Sequence, residues 1–364
     1  MARFTNAPLP SFRLLGRYLL KIPSNKIFLD TWKKDNHLIL PLSRSAWSLK
    51  LIADYKFFKS GSDSLTILVP SYFCNSSLAP LREMKVNLVF YPIQINGAPN
   101  LDEVKKIISK KEVDIFLGVH FFGAYMDFTE LFRITREYKI WFIEDFAHLF
   151  YPSESDKFKS DFQLFSPHKF LPIPDGALLR TNKSIFKTRS EEREFIALYN
   201  SLISGKSSRL KAFIWLIKRL LQKVNIGINL GIKDFYNDEQ IKTTQGFFKP
   251  RMTNMSMVFL SILKKYFDQN NLVRLENAQS WMHLILSRYP SVKVLFAENI
   301  KESIYLLGFK FSDVNELNEA LRWFKLKAFP VCTWPDLPEE VLINEDYFKN
   351  SIDLRKSCIF FHVH

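Results

Sequence analysis

Cysteine is scarce: the 364 residues contain three, Cys74, Cys332 and Cys358, far apart and without metal-ligand spacing. This suits a reducing compartment better than a disulfide framework and argues against a metal site. Long apolar runs are missing too. None reaches the roughly 18 residues a membrane-spanning helix needs, and the stretch Leu14–Leu20 is broken by Arg17 and lacks a small-residue cleavage site. Together these absences point to a cytoplasmic protein. No recognisable nucleic-acid module is present, so a nucleic-acid partner is not expected. Acidic residues are outnumbered, 37 against 51 Lys and Arg, for a net charge of +14. That excess reads either as a basic face for phosphorylated or anionic partners or as the Lys-rich usage of an AT-biased genome. What is abundant is apolar: 47% hydrophobic residues and 35 Phe, enough for one or two substantial cores.

From Pro41 to Thr181 short apolar runs alternate with helical patterns. Leu65–Val69, Asn87–Tyr91, Asp114–Val119 and Ile140–Glu144 read as buried strands. Ala46–Tyr55, Leu101–Ser109 (capped by Asn100) and Asp127–Tyr138 read as helices. The spacing implies parallel βαβ units and an α/β sheet covered on both faces. Ligands of such sheets bind beyond the carboxyl ends of the strands. There the sequence places Ser71 to Cys74, His120, Asp145 and His148. Residues 183–249 are Lys- and Ser-rich, and Arg209–Val224 alternates basic and apolar positions. From Met252 a long helix is expected, followed by a strand at Tyr305–Phe311, a helix at Val314–Phe324 and a final strand at Cys358–Val363.

Three segments carry chemistry. In Phe142–His148, Asp145 ends an apolar strand, where a carboxylate is costly without a cationic partner; it reads either as a helix cap or as the partner of a cationic ring nitrogen. In Asp161–Ala177, Lys169 sits among aromatic residues, prolines and His168, where desolvation would free its amine for attack on an aldehyde. A surface lysine in a Pro-rich turn is the alternative. In Pro41–Trp47, Ser43, Arg44 and Ser45 open a helix whose N–H groups suit a phosphate or an ordinary serine cap.

Taken together and in this order, these segments resemble the DegT/DnrJ/StrS family of pyridoxal-phosphate (PLP) dependent sugar aminotransferases. The resemblance covers Leu40 to Asn182. It extends more weakly to Phe329–Pro335 and Phe360–His364, and in one branch to Pro70, Tyr72 and Cys74 and to Pro172, Pro174, Asp175 and Gly176. It implies the fold type I PLP transferase: α/β, with a large parallel or mixed αβα domain and a smaller C-terminal α+β domain. The expected divisions are an arm at 1–39, a cofactor domain at 40–250 with its basic helical section at 183–250, and a small domain at 251–364. By matching position, Lys169 would hold the cofactor covalently and move the substrate proton, and Asp145 would pair with the pyridine nitrogen. His148 would sit beside the phenolic oxygen, and Ser45, Ala46 and Ser166 would contact the phosphate. The usual ring-covering position holds Cys74, leaving Tyr72 or Phe73 for that role. His120 and Arg44 are substrate-side candidates, His120 reading equally as a structural loop residue.

The sequence departs from the family where Ser43 replaces a usual glycine, crowding the phosphate turn, and where Ala177 replaces the second glycine of a pair. The family pattern also runs on past His364. The implied activity is amino transfer from L-glutamate to a keto sugar on a nucleotide carrier, for amino-sugar or polysaccharide synthesis, in a homodimer. Family members that dehydrate instead carry His for the lysine, so Lys169 favours transamination. The alternative is a catalytically reduced scaffold. In that reading the basic helix around Lys211, Lys218, Arg219 and Lys223 meets anionic lipid; a helix packed on the protein with its lysines in water is the favoured reading of that segment.

Overall fold

The computed structural model describes residues 8–19, 26–33, 35–150, 160–223, 244, 246–296, 304–327 and 329–364. Helix α1 (Phe12–Leu19) precedes strand β1 (His37–Leu42), which the apolar pattern did not suggest because Pro41 interrupts it. Proline removes a ladder donor, which only an edge strand tolerates, and β1 is an edge of the main sheet. Helix α2 (Ser45–Ser60) buries Leu49, Leu51, Ile52, Ala53 and Tyr55. It runs past the expected Tyr55 because the first residue able to turn it left-handed is Gly61, at φ 63°.

The wound section follows: β2 (Leu65–Pro70), short α3 (Ala79–Arg82), β3 (Val86–Tyr91), α4 (Leu101–Lys110), β4 (Ile115–Val119), α5 (Thr129–Glu137) and β5 (Trp141–Asp145). Apart from α3, which the pattern did not suggest, these elements match the sequence pattern to within a few residues, and the Asn100 side chain accepts from the Glu103 N–H as its cap position requires. Beyond them lie β6 (Phe162–Phe165) and β7 (Ala177–Asn182). The seven strands order as β1-β7-β6-β5-β4-β2-β3. Strands β2 to β6 pair in parallel, and β7 runs antiparallel to both β6 and β1. Because β2 lies between β3 and β4, the winding reverses there, and the crevice of such a sheet opens beyond the carboxyl ends at that reversal. Every residue of β4 is buried, as expected of a strand covered on both faces.

Helices α6 (Arg189–Leu202) and α7 (Arg209–Lys223) follow; Val224, the expected end of the basic helix, lies outside the described residues. The single long helix expected from Met252 is instead two. Helix α8 (Asn254–Leu263) and helix α9 (Phe267–Arg288) meet at a tight turn over Lys264–Tyr266. The break has a packing cause: Met255, Val258, Phe259 and Leu260 join one core with Leu14 and Trp32, whereas Ala278, Trp281 and Ile285 join another under the second sheet. That sheet, ordered β10-β11-β9-β8, comprises β8 (Lys293–Val294), β9 (Leu306–Lys310), β10 (Val331–Cys332) and β11 (Cys358–His362). It is covered by α10 (Val314–Leu326), with α11 (Glu339–Leu342) and α12 (Lys349–Ser357) leading into β11.

Candidate active site

A cavity of about 750 Å³ opens at the carboxyl ends of the parallel strands, within the size range of small-molecule sites. Val119 and Asp145 end β4 and β5 at its wall, Ser166 follows β6, and Phe73 and Cys74 follow β2. Of the candidates from sequence, Lys169, Asp145, His148, Ser45, Ala46, Ser166, Phe73 and Arg44 all line it.

Lys169 ends a 3₁₀ turn, Pro167–Lys169, that the proline starts and the Lys169 N–H closes on the Ser166 carbonyl at 3.0 Å. Burial lowers its pKa from 10.5, opposed by the negative field of Asp145. Asp145 is 5% exposed, and one carboxylate oxygen accepts from the Ala147 N–H at 2.8 Å. Burial raises its pKa from 3.8, opposed first by the charge of Lys169. A half-buried amine and a buried acid in one cavity, each shifted toward neutrality by desolvation, mark a chemical site rather than a surface ion pair.

His148 stacks on Phe122 at 4.9 Å and on Tyr305 at 5.1 Å. Its Nδ1 is buried and has no hydrogen-bond partner among the described residues. Burial and the nearby Lys169 hold its pKa well below 6.5, so the ring is neutral. Phe122 reaches it from φ 53°, a left-handed conformation that costs a bulky residue about 1–3 kcal/mol.

At the other end, α2 begins with Arg44 extended at its N-cap, no side chain capping the helix and no acid in its first turn. The positive end of the helix is therefore left for an anion. Ser45 Oγ and Ser166 Oγ lie 2.5 Å apart and bring two hydroxyls to this end. Arg44 donates to the Ser43 and Pro174 carbonyls and covers the Phe248 ring at 4.4 Å. Burial lowers its pKa to about 10, partly offset by Asp175. Ser43 is fully buried and does not line the cavity, so it crowds no phosphate there. Its carbonyl also accepts from the Gly176 N–H at 2.8 Å. Gly176 sits at φ 144°, and its carbonyl faces His168 Nδ1 at 2.7 Å, fixing the ring next to Lys169.

Two sequence candidates stand behind the wall rather than in it. Tyr72 is fully buried and spends its hydroxyl on the Trp334 carbonyl at 3.0 Å, packing edge-on to that indole. The ring-covering role expected of Tyr72 or Phe73 is thus open only to Phe73. His120 is also fully buried: its Nδ1 accepts from the Met126 N–H at 3.0 Å, its Nε2 lies 3.5 Å from Glu144, and its ring stacks on Phe146 at 4.4 Å. It stands behind the strand end that carries Asp145, its N–H donating to the Asp145 carbonyl at 3.1 Å, and does not line the cavity.

Sequence reasoning missed Tyr305, Trp334 and Asp336, all of which line the cavity. Asp336 accepts from Cys74 Sγ at 2.8 Å and from the Ser76 N–H at 3.1 Å, tying the residues after β2 to those after β10. Only an acid following Trp334-Pro335 hinted at it.

The residues present suit PLP by their chemistry. They offer an amine for an aldehyde, a carboxylate for a pyridine nitrogen, and an uncapped helix start with two hydroxyls for a phosphate. They also offer a buried imidazole nitrogen that still lacks a partner. Residues 49–189 match the DegT/DnrJ/EryC1/StrS aminotransferase family. That segment contains Asp145, His148, Ser166 and Lys169. No curated protein matches the chain in sequence.

Solved structures with the same architecture include the Escherichia coli GDP-4-keto-6-deoxy-D-mannose-3-dehydratase with bound hydrated PLP. It is 17% identical, with a TM-score of 0.65 over 99% of this chain and 95% of that one. A candidate sugar aminotransferase from Streptococcus pneumoniae, in its PLP form, is 13% identical with a TM-score of 0.69 over 100% and 94%. NtdA from Bacillus subtilis, with the cofactor PMP bound, is 13% identical with a TM-score of 0.65 over 100% and 81%. At these identities the likeness is one of fold, and the fold is that of PLP-dependent sugar aminotransferases and their dehydratase relative.

Proposed function

We propose that this protein is a PLP-dependent aminotransferase that passes an amino group from L-glutamate to a keto sugar carried on a nucleotide. The observation that carries the reading is the meeting of Lys169 and Asp145 in one cavity beside an uncapped helix start. PLP, when bound, supplies an electron sink that lets a proton leave the carbon bearing the amino group.

The rest falls to the chain. Lys169 Nζ, whose charged form burial disfavours, would be the group that holds the aldehyde carbon of the cofactor and would move the proton at the substrate carbon. Asp145 would hold the ring nitrogen in its cationic form, and His148, kept neutral, would hydrogen-bond the phenolic oxygen. Ser45, Ala46 and Ser166 would hold the phosphate. Arg44, already donating to two carbonyls, would add charge rather than a bidentate clamp. A +14 chain suits a diphosphate-bearing acceptor. A lysine at 169, where family members that dehydrate carry histidine, favours transamination. The cytoplasm and a homodimer are part of the same proposal, on the family pattern.

Borohydride reduction of the PLP-loaded protein followed by peptide mass spectrometry tests it. The label is expected on Lys169 and absent from Lys169→Ala, and L-glutamate is expected to convert the bound cofactor to its amine form. A label that stays on another lysine ends the assignment.

A further inference from the structure

Helix α7 buries the wrong side for a helix packed by its apolar stripe. Among its residues Ala212 and Leu216 are buried, while Leu210 (71%), Phe213 (55%), Ile214 (56%), Ile217 (41%) and Leu221 (41%) are exposed. At 3.6 residues per turn these five fall within an arc of roughly 100°. Arg209 borders the arc on one side, and Lys211 and Lys218 border it on the other. Across Arg209–Lys223 there are five basic residues and no acid.

On the side away from this arc, α7 meets α1. Lys223 donates to the Pro10 carbonyl at 2.9 Å and covers the Phe12 ring at 4.6 Å, and Phe12 is itself 63% exposed. Helix α1 likewise carries no acid. We infer that the exposed arc of α7 is a docking surface for an anionic lipid bilayer, lying in the plane of the headgroups.

Charge decides the occupant. A second copy meeting this face through a two-fold axis would set basic helix against basic helix, with no carboxylate on either to pair. An anionic bilayer supplies both what the stripe needs and what its flanks need: acyl chain for Phe213 and Ile217, phosphate charge for Arg209 and Lys218. The inference does not depend on the aminotransferase reading, since none of these side chains lines the cavity.

Co-sedimentation of the full-length protein with phosphatidylglycerol-containing vesicles, with pure phosphatidylcholine vesicles as control, tests it. Binding is expected to the anionic vesicles, at least tenfold weaker to the neutral ones, and reduced by salt. Phe213→Ser/Ile217→Ser should abolish it, and Arg209→Glu/Lys218→Glu should weaken it on the order of tenfold or more. All four positions are exposed, and an unchanged circular dichroism melt would show that the variants fold. Equal binding to neutral vesicles, no binding to either, or binding that survives Phe213→Ser/Ile217→Ser would overturn the inference. So would a wild-type dimer that the same variant turns into a monomer in analytical ultracentrifugation, since the face would then be a contact between copies. Cofactor loading should stay intact in every variant, which separates failure here from failure of the catalytic reading.

Discussion

The Lys169 ammonium lies 5.2 Å from the centre of the Tyr305 ring, and that ring in turn stacks on His148. One aromatic face from the start of β9 therefore positions two cavity residues that follow β6 and β5. A cation over a desolvated ring is worth up to about 2 kcal/mol. Tyr305→Leu should remove this hold and weaken PLP retention by roughly tenfold. Tyr305→Phe keeps the face and should stay within about twofold. Titration of the apo-protein with PLP distinguishes them; equal affinity in the Leu variant would show that the ring is only filler.

The opposed effects on Lys169 predict how it titrates. Burial lowers its pKa from 10.5 and Asp145 raises it again. Competitive acylation followed across pH by mass spectrometry should give Lys169 a midpoint below the 10.5 of an ordinary lysine. Asp145→Asn removes the anion that favours the ammonium, so the midpoint should fall further. A rise in that variant would mean that Asp145 does not act on the amine through its charge.

Parallel strands buried on both faces announce themselves as apolar runs, which is why β2 to β5 and the polar residues at their ends were legible. Asp145 and Lys169 stood out because a charge in apolar company is expensive. Tyr305, Trp334 and Asp336 were not legible as cavity residues. They come more than a hundred residues after Lys169, and only tertiary packing of the second sheet brings them to it. Phe122 was hidden for another reason: its left-handed backbone lies in a turn where sequence would favour glycine. Periodicity gave the stripe on α7 but not its direction, and the side expected to pack is the one that meets water.

Asp175, in the motif that ends at Gly176, is an anchor. It is fully buried and accepts from the Thr253 N–H at 3.0 Å, from the Thr253 hydroxyl at 2.6 Å and from the Ser256 hydroxyl. It thereby ties the lysine loop to the start of α8. Asp175→Ala strands those donors in the interior and should cost about 3 kcal/mol, read as a shift in the urea midpoint. A loss below about 0.5 kcal/mol would show that water satisfies them.

Acid should destabilise the fold through its buried histidines. Burial holds His148 and His168 well below the usual histidine value of 6.5 and His362 at about 3, the last helped by Arg274 and Arg219. Between those folded values and 6.5 the unfolded chain binds more protons than the folded one, so stability is full above 6.5 and falls as the pH drops toward 3. Asp145, Asp161 and Asp175 pull the other way, because burial raises their pKa values above 3.8. The clean readout is therefore a difference between proteins. In urea unfolding at stepped pH, His362→Gln should reduce the acid slope by about 1.4 kcal/mol per pH unit, the weight of one proton. The wild-type slope persisting unchanged in that variant would mean that His362 gains its proton as readily in the folded chain as in the unfolded one.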